Sequence, residues 1–193
     1  HCGLGADGVI LYEREGQPDA PEIRMTIFNR DGSRPEMCGN GVRCLARHVV
    51  EFEEVEDDAF VIETDAGPRD CRIVSREPSD WLVEVDTGEV ETAGAPEKIG
   101  IGEADFTLWP VEVGNPHVVT FGHVRDALMD TVGATLNNEH YLFPEGVNVE
   151  FAELVDDHTI EVVVYERGVG RTMACGTGAC AAAVAAIDRE LVE

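Results

Sequence analysis

The sequence predicts an α+β chain built from two related halves, and three observations carry that expectation. The tetrad Cys38-Gly39-Asn40-Gly41 returns late in the chain as Cys175-Gly176-Thr177-Gly178. Each copy is followed by a helix-forming stretch. Each is also preceded by a strand pattern and a short polar loop, and extended segments dominate elsewhere.

The first helix is read from Val42, Leu45, Ala46, Val49 and Val50, which recur at i, i+3, i+4, i+7 and i+8 and so form one apolar face. The second is read from the Ala-rich run 181–186 with Val184 and Ile187, residues of high helix propensity. Residues 24–28, 60–64, 81–85, 109–113, 117–121 and 147–151 read as strands, with Trp81, Val83 and Val85 alternating on one face. Residues 160–165 are β-branched enough to predict a central strand, and residues 124–130 predict a third, short helix. Turns fall at Asp31-Gly32, Ala66-Gly67-Pro68, Gly114-Asn115-Pro116 and Glu145-Gly146. The apolar pattern lapses around 88–96, which divides the chain into an N-terminal half, 1–90, and a C-terminal half, 91–193. A helix wrapped by a mostly antiparallel, barrel-like sheet is the architecture expected of each, with the joint between them a natural cleft.

Each tetrad puts a thiol at or just before a helix N-terminus, in a glycine-rich turn that lets backbone N–H groups point outward. Such a position lowers a thiol pKa toward neutrality and binds carboxylates. Two of them suggest two acid/base groups facing one substrate. Spacing alone leaves alternatives open. Six cysteines are an even number and could form disulfides, although disulfide density is a device of small secreted domains. The Cys38-x5-Cys44 and Cys175-x4-Cys180 spacings depart from the short zinc knuckle. Cys44 and Cys180 fall inside the expected helices and read as small core residues. Cys2 and Cys71 have no motif.

Composition narrows the function further. The net charge is −25, from 39 acidic and 14 basic residues, with Lys98 the only lysine. That balance argues against nucleic-acid and anionic-membrane partners, which need clustered Lys and Arg. A hydrophobic fraction of 44% argues against a disordered acidic tail. The surface suits high salt, where self-repulsion is screened, so a halophilic source is expected. No apolar run approaches a membrane span and no signal-peptide pattern opens the chain; with the thiol usage this predicts a cytoplasmic protein.

Five segments in order resemble the diaminopimelate epimerase family. They are His1-Cys2-Gly3-Leu4-Gly5-Ala6-Asp7-Gly8, Phe28-Asn29-Arg30-Asp31-Gly32-Ser33, residues 37–44, Gly114-Asn115-Pro116-His117, and Val164-Tyr165-Glu166-Arg167-Gly168 with residues 174–180. The resemblance implies a two-domain fold with substrate between the halves. It also implies epimerisation of LL- and meso-diaminopimelate in lysine biosynthesis, without cofactor or metal, by Cys38 and Cys175. One thiolate removes the α-proton and the other thiol returns a proton to the opposite face, the roles exchanging with substrate stereochemistry. Asn29, Asn115, Asn148, Glu166 and Arg167 match positions that hold the substrate's amino-acid ends. The amides of Gly39, Asn40, Gly176 and Thr177 would stabilise the carbanion-like state, and His117 would tune a thiol. Without the resemblance, Asn29 and Asn115 read as turn formers, Arg167 as a strand-end charge and His117 as a structural histidine. The family pattern also implies a strand and a Gly-Asn-Asp-Phe loop before His1 and strands after the second helix, so the chain reads as truncated at both ends. The only partner implied is the small-molecule substrate, and a homodimer is left open. The alternatives are a proline- or hydroxyproline-type two-cysteine racemase, whose substrate gives Asn148, Glu166 and Arg167 no purpose, and a non-enzymatic thiol redox or metal-binding module.

Overall fold

The computed structural model describes residues 6, 8–17, 20–52, 55–77, 80–138 and 140–192. Cys2 and most of the opening His1–Gly8 motif lie outside the described residues. Contacts divide the chain into two compact units, 1–88 and 89–193.

The first unit is a five-stranded sheet in the order β1-β2-β3-β4-β5, formed by β1 (Gly8–Gln17), β2 (Ala20–Asn29), β3 (Ala59–Thr64), β4 (Gly67–Glu77) and β5 (Asp80–Val85). All pairs are antiparallel except β2 with β3, whose parallel crossover carries helix α1 (Gly39–Phe52). The predicted apolar face of α1 is the buried one: Val42, Leu45, Ala46, Val49 and Val50. It meets Ile23 and Met25 from β2, Phe60 and Ile62 from β3, and Cys71 and Ile73 from β4, with Ile10 and Tyr12 of β1 and Trp81, Val83 and Val85 of β5 packed alongside. Every strand therefore contributes to one core around α1, each fully buried Val or Leu stabilising it by roughly 1.5–3 kcal/mol. Cys44 departs from expectation: it is exposed, because it falls on the face of α1 opposite the apolar stripe.

The second unit is built on a sheet in the order β12-β11-β10-β9-β8-β6, with β7 paired to β8. Its strands are β6 (Glu91–Thr92), β7 (Glu97–Ile101), β8 (Ala104–Glu112), β9 (Pro116–Phe121), β10 (Asn148–Asp156), β11 (Thr159–Glu166) and β12 (Gly170–Thr172). Again one pair is parallel, β9 with β10, joined through helix α2 (Asp126–Leu136). Helix α3 (Gly176–Asp188) follows β12. This unit has two cores rather than a single helix at its centre. Val118, Val149 and Phe151 pack with Met129, Val132 and Leu136 of α2, whereas Val111, Val119 and Ala152 pack with Ala181, Ala182 and Ala185 of α3. The centre of the sheet is β9 and β10, covered on both faces. Residues 160–165 belong instead to β11, one place from the edge, where only Val164 is buried. Helix α2 runs six residues beyond the 130 expected, because Gly133 seats it on the Tyr165 ring; the Thr131 and Thr135 hydroxyls turn back onto Ala127 O and Thr131 O.

Candidate active site

Both tetrads fold into the same turn, bond for bond. In the first unit the amide of Gly41 donates to Cys38 Sγ at 3.4 Å and Val42 N donates to Cys38 O at 2.9 Å. In the second, Gly178 N donates to Cys175 Sγ at 3.4 Å and Ala179 N donates to Cys175 O at 3.0 Å. Each cysteine is an N-cap whose sulfur takes the place of the usual Ser or Asp oxygen. Gly39 and Asn40 open α1 as Gly176 and Thr177 open α3, so their amides belong to the first turn, which has no intrahelical partner and carries the positive end of the helix dipole. Both thiols are half-buried and unbridged. The disulfide alternative finds no support among the described residues, where Cys38, Cys44, Cys71, Cys175 and Cys180 carry no disulfide. No group of three or more potential metal ligands assembles among the described residues.

The helix N-terminus does not lower the Cys175 pKa as the sequence suggested. Burial, and then the Glu166 carboxylate, push this thiol up to about 11; the Thr177 hydroxyl at 3.3 Å and the Gly178 amide oppose them and lose. A helix terminus contributes about 0.3–1 kcal/mol, whereas desolvation of a buried group shifts a pKa by several units. Burial and Glu166 thus favour the thiol form of Cys175 at neutral pH.

Around it, β9, β10 and β11 bring together most of the predicted polar residues. His117 lies with Nδ1 2.7 Å from Glu150 Oε1 and Nε2 2.9 Å from Asn115 Oδ1, and the His117 and Glu150 side chains are wholly buried. Asn148 spends its amide on backbone: Nδ2 donates to Pro116 O at 2.9 Å and Oδ1 accepts from Arg167 N at 3.0 Å. It thereby ties the Gly114-Asn115-Pro116 turn to the Glu166–Arg167 corner. The Arg167 stem lies over Gly146, where an added Cβ would come within 3.1 Å and where φ is +77°. Thr172 donates its hydroxyl to Glu166 Oε1. In the first unit, Asn29 closes a turn through Asn29 N to Ser33 O at 2.8 Å and Asn29 Nδ2 to Ser33 Oγ at 3.1 Å, and Arg43 donates to Asn40 Oδ1. Asn29 thus shows the turn geometry that its residue type alone predicted.

Glu150 escaped the sequence reading. In Val147-Asn148-Val149-Glu150-Phe151 it alternates with apolar residues and reads as the wet face of a strand. In β10 both faces are covered, and residues 148–152 are all buried.

The model of the family described as diaminopimelate epimerase matches residues 1–93 and 110–193. The chain belongs to the diaminopimelate epimerase family. A diaminopimelate epimerase of Bacillus pumilus is 39% identical over 97% of this chain and 69% of its own length, and one of Bacillus cereus is 40% identical over 97% and 68%. Among solved structures, a hydroxyproline epimerase from Agrobacterium vitis matches with a TM-score of 0.73 at 16% identity, over 96% of this chain and 61% of that one. A PhzF-family phenazine biosynthesis protein of Bacillus anthracis matches with a TM-score of 0.56 at 16% identity, over 91% and 64%. These two share the fold. The chain spans about two thirds of the length of the curated relatives and about 61% of the hydroxyproline epimerase.

Proposed function

We propose that this chain carries the acid/base apparatus of a diaminopimelate epimerase, an isomerase that inverts one α-carbon of diaminopimelate without a cofactor. The observation that carries the reading is the repeated N-capped thiol turn, in a chain of this family. Inversion calls for two groups, because one base tends to return the proton to the face it left. Two thiols meet that need: the ordinary pKa near 8.5 keeps thiol and thiolate both within reach of neutral pH, and positioned proton transfer contributes about 10²- to 10⁴-fold.

Cys175 starts as the proton donor, since burial and Glu166 hold its thiol protonated. The base in that direction is Cys38. When the substrate of opposite configuration binds, Cys175 must lose its proton first. The amides of Gly39, Asn40, Gly176 and Thr177 then stabilise the charge that builds on the α-carboxylate as the C–H bond breaks. Arg167 offers a planar fork to a carboxylate and Glu166 an acceptor for an ammonium, a pair suited to the distal amino-acid head. Asn115 and Asn29 are assigned to substrate binding, and Asn148 acts by bracing Arg167 and the 114–116 turn. The unbridged thiols of Cys44, Cys71, Cys175 and Cys180, among the described residues, suit a reducing cytoplasm, and the product is assigned to lysine biosynthesis.

Exchange of the α-proton for deuterium, followed by proton NMR in deuterium oxide with diaminopimelate and with proline, tests the reading. Exchange into diaminopimelate with none into proline is expected. The reverse preference would make the chain a proline-type racemase and leave Glu166 and Arg167 without a role.

A further inference from the structure

We propose that Glu150 is a positioning residue of the second thiol site: as a neutral acid it donates to His117, which donates to Asn115, fixing the Asn115 amide with its N–H groups presented to an anionic ligand. This rests on the reading of Asn115 as a substrate contact.

The three side chains form one buried chain, Glu150 Oε1 to His117 Nδ1 at 2.7 Å and His117 Nε2 to Asn115 Oδ1 at 2.9 Å. The Asn115 amide oxygen can only accept, so Nε2 must carry the ring proton. Nδ1 is then an acceptor in a neutral imidazole, and Glu150 must supply a hydrogen. The alternative is an imidazolium beside a carboxylate. It would leave a charged oxygen bare, because Glu150 Oε2 is buried without a hydrogen-bond partner among the described residues. A bare carbonyl oxygen of a neutral acid costs less there than a bare carboxylate oxygen. Desolvation raises the Glu150 pKa, as does the charge of Glu166; His117 opposes them.

Glu150 stands directly against the thiol turn. A Cβ on Gly178 would come 2.7 Å from Glu150 Oε1, so the glycine of the tetrad leaves room for this acid. The titratable groups that face it are His117 from β9, Glu166 from β11 and Cys175 at the start of α3. A proton on Glu150 also removes one of the two carboxylates that press on the Cys175 thiol. With its oxygen committed to His117, Asn115 has only N–H groups left to present, the polarity that a carboxylate ligand requires.

Two measurements on the full-length protein decide it. Nitrogen-15 NMR of histidine-labelled protein at neutral pH should find His117 neutral, with Nε2 protonated and Nδ1 bare; an imidazolium protonated on both nitrogens overturns the proposal, whatever the enzyme's substrate. In kinetics, Glu150→Gln keeps a donor on Nδ1 without a titratable proton, and its KM and kcat for diaminopimelate should stay within about threefold of wild type. Glu150→Leu removes the donor and should raise KM by roughly tenfold or more, the loss of a hydrogen bond to a charged group. Activity lost equally in both variants, or an unchanged KM in Glu150→Leu, contradicts the relay. Failure of the wild type to turn over diaminopimelate would sink the functional reading and leave the NMR result to judge Glu150 on its own.

Discussion

At Cys175 a hydroxyl and an amide favour the thiolate, while burial and a neighbouring carboxylate favour the thiol, and the second pair wins. The consequence is measurable as alkylation by iodoacetamide, followed residue by residue with peptide mass spectrometry. Labelling of Cys175 should rise with pH toward about 11, and Glu166→Gln should move the profile to lower pH. A midpoint at or below the ordinary thiol value near 8.5 would contradict the assignment of Cys175 as resting donor. Exposed Cys44 should label readily. Cys71, which burial and then Asp70 push up to about 12, should stay silent until the protein unfolds. The linkage sign follows: the folded state holds these thiol protons more tightly than the unfolded chain, so their contribution to stability is complete below about 8.5 and is lost as pH climbs through 11 to 12. The cysteines and their glycines were legible as residues because helix capping is local. Glu150 was not, since its role depends on two neighbouring strands, β9 and β11, and on helix α3, all apart from it in sequence.

Helix α1 could be read from its periodicity, since a single apolar stripe faces a single sheet. Helix α2 could not be read to its end. Its last turns contain Thr131, Gly133 and Thr135, which argue locally against a helix, and tertiary packing overrides them. Gly133 is the sharpest case, for an added Cβ would stand 2.2 Å from the Tyr165 ring. Gly to Ala inside a helix ordinarily stabilises by about 0.5–1 kcal/mol. Gly133→Ala should instead destabilise by about 1–3 kcal/mol, the usual cost of overpacking, and lower the midpoint of thermal unfolding. A raised midpoint would mean that Tyr165 does not rest on α2. Strand β4 was missed for another reason: outward positions carry charge, as in Arg72 and Arg76 paired with Glu84 and Asp58, so few apolar residues mark it. Strand β11 was recognised as a strand but not as a flanking one, because β-branched composition reports extended backbone and says little about which strand holds the centre.

Over the whole molecule the net charge of −25 sets the response to salt. Self-repulsion among 39 carboxylates opposes the compact state, and the screening length falls from about 10 Å at 0.1 M to about 3 Å at 1 M. The thermal midpoint should therefore rise across that range of sodium chloride, and a midpoint that falls would remove the case for an acidic surface adapted to salt. The repeat of the capped-thiol turn was visible in the sequence as a repeated tetrad, and the proposed chemistry requires both copies to act in one reaction. The most direct test is the turnover of Cys38→Ala and Cys175→Ala in the full-length enzyme with LL- and meso-diaminopimelate, alongside circular dichroism to check the fold. Both variants should keep the fold and lose epimerisation by at least about 10²-fold, the lower end of a general acid–base contribution. If either variant retains more than about a hundredth of wild-type turnover, the two thiols do not share the reaction.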